Sequence, residues 1–403
     1  MIVGIIGGGA SGMAAALAAA MNPQVQVLLL ERQARLGRKL QATGNGRCNL
    51  TNLHAAEGGY HGTEVSFAAH ALDRFGVEDT IGWFRKMGLV TVAEDSGRVY
   101  PYSDQANSVT DVLRFALEQP NIRVVTGCEV EKVRKNGDRF LISCGEESYL
   151  CDKLIVACGG LAGTKLGGSM SGYKLLTKFG HHSTRLRPTL VQLKSHWGAL
   201  PGLKGVRAGC VAEILRDGER HSISSGEIQF TEYGLSGPVI FEVSRDACQG
   251  KGNWTCRLDL LPVMSREELL EELNHRRLRD LPVEELLTGV LHNRLGRVLT
   301  RAAGIKNGFV RDLTDRDLET VVNAVKAFEV PLTEPMGMDS AQVTAGGILT
   351  SEFDPMTMES RIVKGLYACG EVLDIDGDCG GYNLQWAWSS GRLAGESAGK
   401  ESV

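Results

Sequence analysis

The chain has 403 residues, 43% of them hydrophobic and 23% charged, as in a globular protein large enough for two or three structural units. Its 44 Lys and Arg against 48 Asp and Glu give a net charge of −4, which excludes a protein that coats nucleic acid or anionic membrane through bulk charge. The sequence contains no long apolar span, no signal-like leader and no CxxC pair. We therefore expect a cytoplasmic protein with reduced cysteines, no membrane segment and no metal.

The start of the chain predicts a strand, a glycine turn, a helix and a second strand. Residues 2–6 and 25–30 are short apolar runs, and the small residues of 11–21 favour a closely packed helix between them. This order of elements is typical of the opening of a parallel sheet.

The glycine turn has the spacing of a dinucleotide-binding motif. Gly7 would make the turn, Gly9 would admit a pyrophosphate, and Gly12 would let the helix pack closely. Glu31, at the end of the second strand, would accept hydrogen bonds from an unphosphorylated ribose. The combination predicts a site for FAD or NAD.

The next segment, GRKLQATGNGRCNLTN at 37–52, combines cations, a glycine turn and an Asn-Arg-Asn cluster. Such a loop is suited to a second cradle around a pyrophosphate or a flavin ring. Residues 122–150 then alternate between apolar and polar, which predicts an antiparallel meander with a turn at Asn136-Gly137. KLIVACGG, from Lys153, predicts a buried return strand ending in a glycine turn.

The middle of the chain has a different character. Residues 189–262 alternate with frequent glycine, which predicts a small antiparallel barrel. From Ser265 to about Phe328 the spacing is helical, with capping-box patterns at Ser265/Glu268 and Thr314/Asp317.

The end of the chain returns to strand, glycine turn and helix. GLYACGEVLD at 365–374 offers a buried strand followed by Glu371, which can hold the ribityl hydroxyls. GGYNLQ at 380–385 offers backbone N–H groups and a helix start where negative charge develops on a reduced flavin. An NAD enzyme does not need this third element, so FAD is favoured.

The predicted fold is α/β, with a discontinuous Rossmann-type FAD-binding domain, an inserted β-barrel domain and a small helical subdomain. The FAD-binding domain is expected at 1–188 and 341–403, the barrel at 189–264 and 329–340, and the helical subdomain at 265–328.

The sequence resembles the YhiN/BaiN-like family of bacterial FAD-dependent oxidoreductases along nearly its whole length. The resemblance is most specific in TGNGRCNLTN at 43–52 and GGYNLQWAWSSG at 380–391. It implies the same domain arrangement. Together, the motifs and the resemblance predict FAD contacts at Gly7, Gly9, Ala10, Ser11, Gly12, Glu31, Arg32, Arg38, Lys39, Thr43, Gly44, Asn45, Arg47, Asn49, Val130, Gly159, Gly370, Glu371, Gly380, Gly381, Asn383 and Leu384.

The residues that carry the chemistry are less clearly marked. Cys48, inside the 37–52 loop, is a candidate redox thiol, although no partner cysteine is spaced for a disulfide. Tyr382 could donate a proton near the flavin or simply stack. Arg294, Arg297 and Arg301 share one predicted helix face, which is either a solvated surface or a patch that grips RNA phosphates.

Three functions remain open from the sequence. The first is reduction of an activated double bond by hydride from reduced FAD, with NADH or NADPH as a transient electron donor. Its substrate is a small molecule or, as the resemblance implies, a uridine in ribosomal RNA. The second is an amine or aminoketone oxidase that uses O2, and the third is a non-catalytic FAD-binding protein. The oligomeric state is left open.

Overall fold

The computed structural model describes residues 1–400, and the chain divides into two compact units. Unit 1 comprises residues 1–188 and the chain from 341 onward, and unit 2 comprises residues 189–340. Each unit encloses a hydrophobic core. Two parts of the predicted domain division remain predictions. One is that a single domain binds the cofactor, and the other is that 265–328 forms a separate helical subdomain.

The secondary structure alternates in the first segment, is strand-rich and then helical in the second, and alternates again in the third. The first segment contains β1 (Ile2–Ile6), α1 (Ala10–Ala19), β2 (Gln26–Glu31), α2 (Arg38–Ala42), β3 (Thr51–Asn52), β4 (Tyr60–His61), α3 (Ala69–Arg74), α4 (Val77–Lys86), β5 (Thr91–Ala93), β6 (Arg98–Pro101), α5 (Ala106–Ala116), β7 (Ile122–Thr126), β8 (Lys132–Asn136), β9 (Arg139–Cys144), β10 (Glu147–Cys151), β11 (Lys153–Val156), α6 (Ser171–Lys178) and β12 (Arg187–Thr189). The second contains β13 (Leu193–Lys194), α7 (Leu200–Leu203), β14 (Arg207–Arg216), β15 (Glu219–Phe230), β16 (Gly234–Ser236), α8 (Pro238–Val243), β17 (Trp254–Asp259), α9 (Arg266–Arg276), α10 (Asn293–Ala302), α11 (Asp315–Lys326) and β18 (Phe328–Leu332). The third contains β19 (Val343–Ala345), β20 (Leu366–Ala368), β21 (Asp376–Gly377) and α12 (Tyr382–Ala398).

The central sheet of unit 1 is parallel, with the strand order β20, β11, β1, β2, β7. Its inner strands are almost continuously buried, as expected for a sheet covered on both faces. The order places the carboxyl ends of β20, β11 and β1 side by side. These are the ends that carry the glycine turns at Gly370, Gly159 and Gly7.

One strand was predicted in the wrong sheet. We expected Ile122–Thr126 in the antiparallel meander, but β7 pairs in parallel with β2 at the edge of the central sheet. Its residues are exposed or half-buried, as at the edge of a sheet. The meander proper is β8, β9 and β10, and its turn at Asn136-Gly137 is confirmed, with Asn136 opposite Arg139 and Gly137 at φ 59°.

Helices α1 and α12 pack along a stripe of small residues. A Cβ on Gly391 would overlap the carbonyl oxygen of Ser11, and one on Gly395 would overlap that of Ala15. Because the contacts advance along both helices in the same direction, the helices run parallel. Their amino-terminal ends therefore point to the same edge of unit 1, although they lie at opposite ends of the sequence.

Two cysteines differ from expectation. Cys128, just after β7, and Cys144, the last residue of β9, are paired as a disulfide with their Cα atoms 5.8 Å apart. The prediction that all ten cysteines are free thiols is wrong for this pair. Their separation of 16 residues has no local motif, and only the meander brings them together.

Unit 2 is built on an antiparallel sheet with the order β13, β16, β15, β14, β17, β18. Lys194 in β13 donates from its N–H to Glu334 at 2.9 Å and accepts from Thr333 at 3.0 Å, immediately after β18. These bonds bring the first and last strands together into a nearly closed barrel. The predicted fold class, with a β-barrel inserted into a Rossmann-type α/β fold, is confirmed.

Two helices of unit 2, α9 and α11, begin where the sequence predicts. The capping boxes at Ser265/Glu268 and Thr314/Asp317 both form, and they start α9 and α11. Among the helices of residues 1–400, none combines the length and the apolar character that crossing a membrane requires.

Candidate functional site

The turn between β1 and α1 contains two glycines that the fold itself requires. Gly7 has φ 110°, and a Cβ there would overlap the carbonyl oxygen of Ala157 after β11. A Cβ on Gly12 would overlap the carbonyl oxygen of Gly7. A side chain at either position would push α1 away from the sheet.

Gly9 differs because no protein atom explains its missing side chain. Its φ of −82° and ψ of −168° are open to any residue, and an added Cβ would meet no atom within 4 Å. Gly9 is the N-cap of α1, and no side chain caps this helix. The N–H groups at Ala10 and Ser11 therefore begin a helix end suited to an anion, with open space beside it. A pyrophosphate fits this combination.

Glu31 is fixed at the end of β2, next to the glycine turn. Its Oε2 accepts a hydrogen bond from the N–H of Gly8 and its Oε1 accepts one from the N–H of Gln33, both at 2.7 Å. The carboxylate keeps further lone pairs for a ribose. The two predicted elements, turn and acid, are thus brought together.

A second predicted group meets the same turn from the end of the chain. Gly370 follows β20 with φ 75°, and a Cβ there would lie 2.6 Å from the Oγ of Ser11. Beside it, Glu371 forms an ion pair with Lys39 at 2.8 Å and accepts the N–H of Thr344 at 2.8 Å. Residues predicted from three separate motifs therefore lie together at the carboxyl edge of the central sheet.

The loop that follows α2 has an unusual backbone. Gly44, Asn45, Gly46 and Cys48 all have positive φ, between 57° and 87°. Arg47 lies between Gly46 and Cys48 with φ −92°, and a right-handed residue followed by a left-handed one turns successive backbone N–H groups toward one side, as anion-binding loops do. The Thr43 hydroxyl donates to the carbonyl of Leu40 at 2.7 Å and so closes the end of α2.

Two side chains of this loop have opposite surroundings. Arg47 lies over the ring of Tyr100 and binds the carboxylates of Asp104 and Glu94, whose hydrogen bonds raise its pKa. Asn49 is buried, and its Oδ1 has no hydrogen-bond partner among residues 1–400. An unpaired buried acceptor is costly unless a ligand supplies the donor. Asn49 thus fits a cofactor contact, whereas Arg47 is already paired with acids.

The turn before α12 is made of two glycines with positive φ. A Cβ on Gly381 would overlap the backbone of Thr51, and one on Gly380 would lie 2.7 Å from the Nε of Arg98. Asn383 folds back onto Gly377, from whose N–H it accepts at 2.9 Å and to whose carbonyl it donates at 2.7 Å. Asn383 therefore shapes the turn, and Leu384 follows half-buried in the helix.

The remaining predicted contacts lie around the same edge. Gly159 has φ 69° and no atom within 4 Å of an added Cβ, so its surroundings resemble those of Gly9. Val130 is buried. Arg32 donates to the carbonyl of Gly167 at 2.5 Å, and Arg38 donates to Gln33 at 2.7 Å. Direct contact between FAD and each of the predicted residues stays a prediction.

Cys48 has none of the properties of a reactive thiol. It is fully buried, and this burial raises its pKa to about 12. Reactive thiols are thiolates in partly exposed, electropositive surroundings. The structure therefore argues against the redox role suggested by the loop, and Cys48 instead packs in the core with φ 62°.

Sequence reasoning missed a cluster at the amino-terminal end of α12. His61 Nε2 lies 2.6 Å from Asp378 Oδ1, and the rings of Tyr60 and Tyr382 meet edge to face with centroids 5.9 Å apart. His61 lies in no recognisable motif. The only signal was the proximity of Asp378 to the glycines at 380 and 381, so the pairing could not be found without the fold.

The arginines of α10 are paired within unit 2. Arg297 binds Glu285 at 2.5 Å, Arg301 lies 3.8 Å from Glu284, and Arg294 donates to the carbonyls of Gly202 and Lys204 at 3.4 and 3.3 Å. Two of the three arginines of this face therefore have acids of their own chain as partners, and the third has two backbone carbonyls. No group of three or more His, Cys, Asp or Glu in residues 1–400 is arranged to hold a metal.

Comparisons with known proteins agree with this geometry. The family described as HI0933-like protein Rossmann domain matches residues 1–397. A Clostridium scindens protein named 3-dehydro-bile acid delta(4,6)-reductase is 39% identical over 98% of this chain and 98% of its own. Proteins named ribosomal RNA dihydrouridine synthase from Escherichia coli and Haemophilus influenzae are 33% and 28% identical, each over 96% of this chain and 95% of their own.

The resemblance read from the motifs is confirmed by these matches along nearly the whole chain. The open helix end at Gly9, the fixed Glu31 and the unpaired Asn49 fit FAD. The chain therefore belongs to the HI0933-like Rossmann family, and it is an FAD-dependent oxidoreductase.

Proposed function

We propose that this protein reduces a carbon–carbon double bond conjugated to a carbonyl group in a small molecule. The relative with 39% identity is named for the reduction of a 3-dehydro bile acid at positions 4 and 6. The relatives at 33% and 28% are named for making dihydrouridine, which also adds hydrogen across a double bond next to a carbonyl. The reaction type common to both names is the one proposed for this chain.

The chain's own residues would hold the cofactor at the carboxyl edge of the central sheet. We assign the pyrophosphate to Gly9 and the start of α1, the adenosine ribose to Glu31, and the ribityl chain to Lys39 and Glu371. The Gly380-Gly381 turn and the start of α12 would receive the end of the ring that gains negative charge. Bound FAD would supply the hydride that the β-carbon of the substrate accepts.

The arginines of unit 2 favour a small molecule over RNA. A protein that grips RNA needs cations free for phosphates, but Arg297 and Arg301 face carboxylates of their own chain. The net charge of −4 agrees with this choice. These paired arginines are the observation that supports a small molecule over RNA.

The test is an anaerobic two-step reaction of the purified protein. NADH or NADPH, the proposed transient donors, should bleach the FAD spectrum, and a steroid acid with a 3-oxo-4-ene group should restore it while gaining two hydrogens. Restoration by ribosomal RNA but not by the steroid would transfer the function to RNA. Bleaching by an amine, with peroxide formed in air, would identify an oxidase instead. Protein that binds FAD but reacts with none of these would contradict a catalytic role.

A further inference from the structure

A histidine and an aspartate form a fixed pair just before α12. His61 Nε2 and Asp378 Oδ1 are 2.6 Å apart, although 317 residues separate them in the chain. Strands β4 and β21 bring them together, with His61 opposite Asp376 and Tyr60 opposite Gly377. Asp378 lies two residues before the Gly380-Gly381 turn that we assign to the flavin ring.

The aspartate is held from two sides. Its N–H donates to the carbonyl of Gly59 at 2.8 Å, and its carbonyl accepts from the Nδ2 of Asn383 at 3.3 Å. Gly59 has φ 79°, and a Cβ there would lie 2.9 Å from Asp378 Oδ2 and 2.7 Å from the ring of Tyr382. The local backbone therefore leaves Asp378 little freedom to move away from His61.

The imidazole combines a fixed nitrogen with an available one. With Nε2–H donating to Asp378, the nitrogen that can exchange a proton is Nδ1, which has no protein partner among residues 1–400. The side chains of His61 and Asp378 are 36% and 39% exposed. Water or a substrate can thus reach the imidazole, while the carboxylate fixes its tautomer.

A buried hydroxyl beside the pair points independently to a ligand. Tyr60 is 9% exposed, and its hydroxyl has no hydrogen-bond partner in the described part of the chain. Burial raises the pKa of this hydroxyl, with further contributions from Tyr382 and Asp378. It therefore stays a neutral donor without an acceptor. Such a group costs stability unless something outside the chain binds it.

We propose that His61, oriented by Asp378, is the proton donor that completes the reduction, an inference that rests on the proposed function. As hydride adds to the β-carbon, the electron pair of the double bond moves to the α-carbon and takes the Nδ1 proton of the imidazolium, which leaves a neutral ring whose Nε2–H still donates to Asp378. Two C–H bonds replace the double bond; bound FAD would supply the hydride, and a nicotinamide donor would supply its two electrons. His61 regains its proton from water, and Asp378 acts as the positioning residue.

The first test compares the two half-reactions in single turnovers. His61→Gln should leave FAD binding and reduction by NADH or NADPH unchanged, but slow reoxidation by the 3-oxo-4-ene steroid about 100-fold or more. Asp378→Asn should also slow that step, by about tenfold or more, since the imidazole remains but loses the carboxylate that fixes its tautomer. His54→Gln is the matched control, because His54 also pairs with a carboxylate, Glu57, but lies exposed on the surface.

Two further measurements separate a chemical role from a structural one. Added imidazole should restore the steroid-dependent step in His61→Gly, because it supplies the missing proton donor. Independently of activity, NMR of protein labelled with ¹⁵N-histidine should show that the His61 ring, once deprotonated, is held as the Nε2–H tautomer. That signal should vanish in His61→Gln and lose its fixed tautomer in Asp378→Asn.

The outcomes distinguish this proposal from the one on which it rests. A wild-type protein that never reduces the steroid overturns both. An active wild type with an equally active His61→Gln overturns only the role of His61. Loss of the steroid-dependent step in Tyr382→Phe, with His61→Gln unaffected, would assign the proton to Tyr382 instead.

Discussion

The glycine turn of unit 1 and the arginine face of α10 in unit 2 both looked like binding surfaces in the sequence. In the structure, the turn has open space at Gly9, and the loop after α2 has an unpaired acceptor at Asn49. The arginine face has Arg297 and Arg301 beside Glu285 and Glu284. In the first region a buried oxygen lacks a donor that a ligand could supply, whereas in the second the charges of Arg297 and Arg301 face acids of the same chain.

The contrast distinguishes a ligand site from a surface whose polar groups are paired within the chain. A row of glycines or cations indicates a ligand site only where packing or ion pairing within the chain does not already explain those residues. Gly7 and Gly12 are explained by packing, and Gly9 is not.

The largest expected effect is on the free energy of unfolding of the apoprotein, where substitutions at Gly12 and at Gly9 should differ. Gly12→Ala should lower the free energy of unfolding by about 3 kcal/mol, since its Cβ would overlap the carbonyl oxygen of Gly7. Gly9→Ala should change it by less than about 1 kcal/mol, because no atom lies within 4 Å. Denaturant unfolding of FAD-free protein measures both. Equal losses would show that Gly9 also serves packing.

A second pair of variants compares two buried asparagines. The side-chain oxygen of Asn49 has no hydrogen-bond partner in the described chain, whereas that of Asn52 accepts a hydrogen bond. Asn52 donates to the carbonyl of Gly380 at 2.9 Å and accepts the N–H of His54 at 3.0 Å, so Asn52→Leu should cost about 2 kcal/mol of unfolding free energy. Asn49→Leu removes an oxygen that has no partner in the described chain. It should leave the apoprotein as stable as before, yet weaken FAD about tenfold. Calorimetry with FAD measures the affinity, and an unchanged affinity would remove Asn49 from the site.

A smaller effect concerns pH and the segment that follows β19. His181 is buried, stacks on Phe353, and bonds both Glu352 and Ser360 at 3.0 Å. Burial lowers its pKa below 6.5, although Glu352 acts in the opposite direction. The unfolded chain therefore binds the proton first, so stability should be complete above pH 6.5 and fall as the pH drops below it.

The control for this effect is the neighbouring His182, whose side chain is 75% exposed and also bonds Glu352. Thermal unfolding between pH 7 and about 5 should show the decline in His182→Gln but not in His181→Phe. Glu352 also has a lowered pKa, and its own contribution is lost only at more acidic pH. A loss of stability that persists in His181→Phe would show that another titratable group causes it.

The smallest effect is expected at the arginine face. The double variant Arg297→Gln/Arg301→Gln should leave RNA affinity within about twofold of wild type, because both cations face acids of the same chain. Filter binding with a ribosomal RNA fragment measures this. A large loss would mean that RNA displaces the acids, and the contrast between the two regions would disappear.

Local patterns predicted most of the site, because its parts are backbone turns at the ends of strands. The turn at Gly7, the acid at Glu31 and the glycines before α12 lie where the sequence indicated. What failed depends on the tertiary fold. The His61–Asp378 pair and the Cys128–Cys144 bond join segments with no common motif, and the acids opposite α10 come from the preceding turn.

The proposal that the pyrophosphate of FAD lies beside Gly9 is tested most directly by titrating Gly9→Val and the wild type with FAD. The unfolding of both apoproteins is measured alongside. The open space at Gly9 predicts that the variant folds normally but binds FAD about 100-fold or more weakly, since its side chain would occupy the place of the pyrophosphate. A stable Gly9→Val protein that binds FAD as tightly as the wild type would contradict the site described here.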